Sequence, residues 1–170
     1  GIDVGVLPEM FCCPYDNNCF DAYSEPEGGP AQQALSALAA ELGIYLIGGS
    51  LPEKTGGKLY NTSYVYDRQG RQIARHRKIH LFDIDVAGGQ RFFESDTLSP
   101  GREITVFDTE FGPMGLCICF DFRFEELARL ISHYNFMALP VVDYEGRLLG
   151  VVTHDDVMDI MHDLASEDML

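Results

Sequence analysis

The sequence predicts an α/β chain made of two unlike parts, and three observations carry that reading. Short apolar runs at 2–7 and 44–50 stop at turn residues and read as strands. Ala34, Leu35, Leu38, Ala39 and Leu42 recur at helical spacing. Near residue 130 the pattern changes: residues 131–170 carry 8 acids and 1 base, against 19 acids and 11 bases in residues 1–130, so the last part is far more acidic per residue. A length of 170 residues allows one domain with a sizeable core, or two small ones.

Composition narrows the function classes. A hydrophobic content of 46% with 23% charged residues is ordinary for a globular chain, and no apolar run is long enough to span a membrane. The opening residues lack the basic and apolar regions of a signal peptide. The chain does not begin with Met and opens inside an expected strand, so a missing front end is expected. Its net charge of −15 argues against a nucleic-acid partner. The one basic cluster, Arg75, His76, Arg77, Lys78 and His80, lies beside Asp83 and Asp85. The five cysteines show no zinc-site spacing, and the adjacent pair Cys12-Cys13 suits neither a mutual disulfide nor tetrahedral ligation. No metal site is expected, and a reducing, cytoplasmic compartment is.

Along the chain, the first strand ends at Pro8-Glu9. A carboxylate just past a buried strand is partly desolvated and suits a base, but position alone favours a turn carboxylate in water. Residues 11–29 read as a loop shaping a pocket rim. A helix follows over 30–42, with Pro30 in its first turn and Gly43 as its stop. After the strand at 44–50, Lys54 to Lys58 reads as a turn. Tyr60–Tyr66 and Gln72–Arg77 read as a hairpin across Asp67-Arg68-Gln69-Gly70. Lys78 next to it is either a surface lysine or an electrophile aimed into a pocket. Residues 80–102 read as an irregular functional loop. Residues 103–109 and 114–119 form a second strand pair with Gly112-Pro113 at the turn, followed by a helix over about 122–134. Then come strands at 136–142 and 147–153 around the turn Asp143 to Gly146, and a helix over 155–164.

Cys119 sits where a buried strand meets a turn and a helix. A thiol there has a nucleophile's geometry, and the same turn can offer an oxyanion donor. It also reads as a buried structural cysteine, the reading preferred for Cys117.

Five blocks then carry a resemblance: Leu7-Pro8-Glu9, Tyr45 to Ser50, Lys58 to Thr62, Arg77 to Asp85, and Cys119-Phe120-Asp121-Phe122-Arg123-Phe124. Together they resemble the nitrilase (carbon-nitrogen hydrolase) superfamily, in its omega-amidase-like branch. The resemblance maps that family's Glu–Lys–Cys triad onto Glu9, Lys78 and Cys119, at intervals of 69 and 41 residues. It places a supporting carboxylate on Glu94 and an oxyanion-binding N–H on Phe120. The fold it implies is an α-β-β-α sandwich, incomplete here because the likeness stops near Leu130, so residues 1–130 are read as a truncated hydrolase domain. The implied chemistry is hydrolysis of a small carboxylic mono-amide through a thioester, releasing ammonia, with no metal or organic cofactor. Relatives form homodimers.

Residues 131–170 resemble something else. Tyr134 to Asp143 and Gly146 to Asp156 are similar to the second part of a CBS motif, as in CBS-domain magnesium transporters. The resemblance implies a partial β-β-α unit, with nucleotide contacts at Thr153 and Asp156 or acids that meet Mg²⁺. Glu126 to Leu130 fits both families, so a natural fusion, a constructed chimera and an assembly artefact are all compatible with the join. Two further readings follow: a catalytically impaired hydrolase fragment, and a regulatory module binding Mg²⁺ or an adenine nucleotide.

Overall fold

Residues 1–89, 91–123, 138–142 and 148–153 are described by a computed structural model. Their elements are β1 (Val4–Val6), α1 (Asn17–Phe20), α2 (Pro30–Leu42), β2 (Tyr45–Ile47), β3 (Leu51–Thr55), β4 (Lys58–Tyr66), β5 (Gln72–Arg77), β6 (Asp83–Asp85), β7 (Arg91–Phe93), β8 (Thr105–Thr109), β9 (Gly112–Leu116), β10 (Ala138–Val142) and β11 (Leu148–Thr153).

The longest strand, β4, organises a five-stranded sheet. Thr62 pairs with Leu51 of β3 and with Arg77 of β5, so these two strands flank β4 on opposite edges. β2 continues the β3 side, antiparallel to the far end of β4, and β1 adds parallel to β2. Alternation along β4 then sorts the core. Tyr64 and Tyr66 face α2, where Leu35 and Ala39 pack against Ile44, Leu46 and Leu51. Val65 faces the other way, with Ile47, onto Phe107, Met114 and Leu116 of the β8–β9 hairpin. The sheet thus lies between a helix and a hairpin.

α2 forms where its spacing predicts. Pro30 occupies the first turn, and Gly43 closes the helix in the left-handed conformation (φ 64°), its N–H bonded to the Ala39 carbonyl. Its N-terminal donors are met from outside: the Glu25 carboxylate accepts from the N–H groups of Ala31 (2.9 Å) and Gln32 (3.1 Å).

Several expectations need correction. The loop at 11–29 contains α1, whose first turn is capped by the Asp16 side chain. Lys54, Thr55 and Lys58 belong to strands, and only Gly56-Gly57 turns between them. The stretch 80–102 is not wholly irregular: β6 and β7 pair in it, followed by a helical turn over Glu94–Asp96. The β8–β9 turn falls at Glu110-Phe111 rather than Gly112-Pro113. There the Thr109 hydroxyl donates to the Gly112 carbonyl (2.8 Å) and accepts from the Phe111 N–H (3.1 Å), which tightens the link one step earlier. After β9 a helical turn runs over Cys119–Arg123; the rest of the helix expected to 134 lies outside the described residues. β10 and β11 form an antiparallel pair at the expected strands. The expected helix at 155–164 lies outside the described residues. Among the described residues, no helix is long and apolar enough to cross a membrane.

Candidate active site

Glu9, Lys78, Glu94 and Cys119 come from four different segments, and each is fixed by local backbone chemistry. Glu9 follows β1. The break between β2 and β3 holds its segment: the Ser50 N–H donates to the Pro8 carbonyl (3.2 Å), the Met10 N–H to Ser50 Oγ (3.0 Å), and the Phe11 N–H to the Ser50 carbonyl (3.1 Å). Gly49 makes this approach feasible. It has φ 59°, and a methyl group there would overlap the Pro8 carbonyl oxygen.

Lys78 follows β5. Its N–H donates to the Asn61 carbonyl, and its own carbonyl accepts from the Gly101 N–H, both at 2.8 Å. Its side chain is fully buried, which removes the reading as a surface lysine. Lys78 Nζ lies 2.8 Å from Glu9 Oε1 and 2.9 Å from Glu94 Oε2. Burial alone pulls the lysine pKa down, but the two carboxylates outweigh it and hold the ammonium above its ordinary value.

Glu94 is also fully buried. Besides Lys78, its Oε2 accepts from the Phe82 N–H at 2.6 Å. Asn61 Nδ2 donates to both carboxylates, at 2.8 Å to Glu9 and 3.3 Å to Glu94. Asn61 and Tyr15 are site residues that sequence reasoning did not single out. The Tyr15 hydroxyl lies 3.4 Å from Lys78 Nζ; burial and the charges on Glu9 and Glu94 raise its pKa. Signals for both were weak: Asn61 lies within a block that carries the family resemblance, and Tyr15 within the expected rim loop.

Cys119 opens the turn after β9 with φ 45°, a left-handed conformation uncommon for a residue with a side chain. Met10, next to Glu9, shares this conformation at φ 50°. Cys119 is the exposed one among five free cysteines, and its thiol feels the Glu9 carboxylate as its largest charged influence. The protein around the sulfur, and next the Glu9 charge, push the thiol up to about 11 against a moderating pull from Lys78. Cys117 is pushed up to about 12 by burial and by Asp121, which fits an inert structural thiol. Phe120 follows Cys119 in the same turn, its ring edge-on to Phe82 at 5.5 Å. Thr153 ends β11 at the sheet level, while Asp156 lies outside the described residues.

An exposed thiol, a carboxylate that influences it, and an ammonium locked between two carboxylates make an arrangement suited to acyl transfer. The family model for carbon-nitrogen hydrolases matches residues 1–144. The chain belongs to the carbon-nitrogen hydrolase family. Within that family it is similar to a hydrolase of Schizosaccharomyces pombe, 55% identical over 134 residues, which cover 78% of this chain and 42% of that protein. It is also similar to omega-amidase NIT2 of Danio rerio, 52% identical over 132 residues, covering 78% of this chain and 48% of that one. This carbon-nitrogen hydrolase chain thus spans about half the length of the curated relatives it matches. Among solved structures, Nit3 of Saccharomyces cerevisiae, a member of branch 10 of the nitrilase superfamily, superposes with a TM-score of 0.69 at 26% identity, over 95% of this chain and 80% of that one. The mixed α/β architecture is therefore nitrilase-like. The family match also takes in residues 131–144, past the boundary expected at 130.

Proposed function

We propose that this chain hydrolyses the carbon-nitrogen bond of a small carboxylic mono-amide, with Glu9, Lys78 and Cys119 as its triad. The observation that carries the reading is the placing of Lys78 Nζ between Glu9 and Glu94, with the Cys119 thiol under the electrostatic influence of that same Glu9. Omega-amidases are among the relatives at about half identity, which favours a short dicarboxylic mono-amide as substrate.

A thiol pushed up to about 11 is protonated at neutral pH, so the proton leaves as attack proceeds. Glu9 accepts it while sulfur bonds to the amide carbon. The carbonyl oxygen becomes an oxyanion, stabilised by Lys78 Nζ and by the backbone N–H of Phe120 in the turn after Cys119. As the C–N bond breaks, Glu9 returns its proton to the departing nitrogen and ammonia leaves. Water then gives a proton to Glu9 and attacks the thioester; the C–S bond breaks, the carboxylic acid departs, and Glu9 reprotonates the sulfur. Lys78 keeps its proton throughout, because two carboxylates hold its pKa up. Glu94 holds Lys78 in place through a second carboxylate contact.

The test is ammonia release by the purified chain from a panel of short mono-amides, with Cys119→Ala in parallel. Release that disappears in the variant is the expected result. Release that survives the substitution removes Cys119 from the mechanism.

The CBS-like reading of 131–170 is compatible with the antiparallel β10–β11 pair, a feature common to many folds, and the hydrolase family match already takes in the first part of that segment, to residue 144. The CBS-like reading predicts a rise in melting temperature with Mg²⁺ or an adenine nucleotide. A flat response to both removes it.

A further inference from the structure

Asp121 lies two residues past the nucleophile and is nearly fully buried. Its carboxylate gathers four N–H groups. Oδ1 accepts from the backbone N–H of Ile79 (3.0 Å) and of His80 (2.7 Å). Oδ2 accepts from the Ile118 N–H (3.1 Å) and pairs with His76 Nε2 (3.0 Å). An ionised carboxylate only accepts, so the histidine ring donates here. Nδ1 of the same ring lies 3.1 Å from Thr105 Oγ1, which ties β5 to β8. The Asp121 N–H closes the nucleophile turn onto the Ile118 carbonyl at 3.1 Å.

The positions of these donors matter more than their number. His76, Ile79 and His80 bracket Lys78, while Ile118 and Asp121 bracket Cys119. One buried side chain therefore joins the two segments that carry the ammonium and the nucleophile, although 41 residues separate those two in the chain. It also anchors a turn whose first residue, Cys119, stands at φ 45°, a backbone state that a cysteine rarely holds unaided.

We propose that Asp121 is a positioning residue that sets the register of Lys78 and Cys119, and through it the placing of the Cys119 thiol against Glu9. The inference rests on the hydrolase reading above, and it touches neither substrate nor reacting atoms. A carboxylate with four donors is specified by shape and by charge. Asn at this position keeps the shape but must turn an NH₂ group toward two of the donors. The segments then separate while the fold around them persists.

The experiment is a double-mutant cycle read on Cys119 itself. Iodoacetamide alkylation at Cys119, followed by peptide mass spectrometry, is compared in the native chain, Glu9→Gln, Asp121→Asn and the double variant, with ammonia release in parallel. If Asp121 positions the thiol against Glu9, Glu9→Gln changes the alkylation rate in the native background and leaves it unchanged in Asp121→Asn. Turnover by Asp121→Asn falls by roughly a hundredfold while KM moves less than about threefold, because misplacement costs the chemical step before it costs binding. An equal response to Glu9→Gln in both backgrounds, zero included, overturns the proposal. If Asp121→Asn does not fold, as judged by circular dichroism, His76→Gln takes its place: it alters one donor and keeps three. A smaller response to Glu9→Gln in that background supports the proposal, and an undiminished one overturns it. The alkylation cycle needs no turnover. A native chain that releases no ammonia sinks the hydrolase reading and leaves this test standing.

Discussion

Glu9 acts on Cys119 in two opposed ways, and the opposition is measurable. As a fixed negative charge it disfavours the thiolate and, after burial, is the largest influence pushing the thiol up to about 11. On the proposed mechanism it is also the base that takes the proton during attack. Replacing it with Gln removes the charge and the base together. The pH midpoint of Cys119 alkylation should then fall from about 11 toward the ordinary thiol value of 9.0, because an anion beside the sulfur no longer resists ionisation. Turnover should move the other way, dropping by roughly 10²- to 10⁴-fold for loss of a general base. Measuring both on one preparation checks the assignment; a midpoint and a turnover that rise together would show that Glu9 is not the base. At this scale Glu9, Lys78 and Cys119 were legible as candidates because they sit inside sequence blocks with a family likeness. Their contacts were not. Tyr15 reaches Lys78 across 63 residues of chain, and Asp121, although it lies in the same block as Cys119, takes donors more than 40 residues away, so nothing local shows what either one holds.

A single carboxylate also decides how β3, β4 and β5 stay in register. Glu53 of β3 is fully buried. It accepts from the Thr62 hydroxyl of β4 at 2.8 Å and from Arg77 of β5 at 2.8 and 2.6 Å. Arg77 stacks in turn on the Tyr60 ring at 4.2 Å and is the residue before Lys78. Burial works to raise the Glu53 pKa, but the bonds from Arg77 and Thr62, with the Arg77 charge, hold it below the ordinary 4.5. A depressed carboxyl adds stability that is present above its unfolded pKa and lost as pH falls through the folded value. Stability to urea should therefore decline on acidification below about pH 4.5, and Glu53→Gln should flatten that decline. The same variant should cost about 2–4 kcal/mol at neutral pH, toward the lower side because Arg77 keeps some solvent and its aromatic partner. An unchanged urea midpoint would show that the clasp does not hold these strands. The sequence conceals β3 for the same reason that it matters: Pro52 and Glu53 are poor strand formers, Lys54 and Thr55 read as part of the turn to Lys58, and only pairing with β4 makes these residues a strand. By contrast, α2 and the β4–β5 hairpin carry their own signals, helical spacing with Pro30 and Gly43, and alternation across Asp67 to Gly70. β6 and β7 are three residues each, too short for any period to show.

Charge acts over the whole molecule. The chain carries 27 acids and 12 bases, and the site itself is not a positive funnel: Lys78 is matched by Glu9 and Glu94 at hydrogen-bond distance. A dicarboxylic mono-amide at neutral pH keeps one negative carboxylate. Substrate and protein then repel one another, and the repulsion reaches as far as the Debye length permits, about 30 Å at 0.01 M salt and about 8 Å at 0.15 M. Raising the ionic strength between these limits should increase kcat/KM, mainly through KM, because screening lowers the cost of bringing an anion to an acidic surface without altering the contacts of the buried Lys78. A neutral mono-amide of similar length should show little response, and the ratio of the two substrates isolates the effect from any change in the enzyme. If the anionic substrate instead weakens with salt while the neutral one does not, a local cation dominates its capture. The overall charge, readable from the sequence alone, would then be the wrong scale at which to explain its binding.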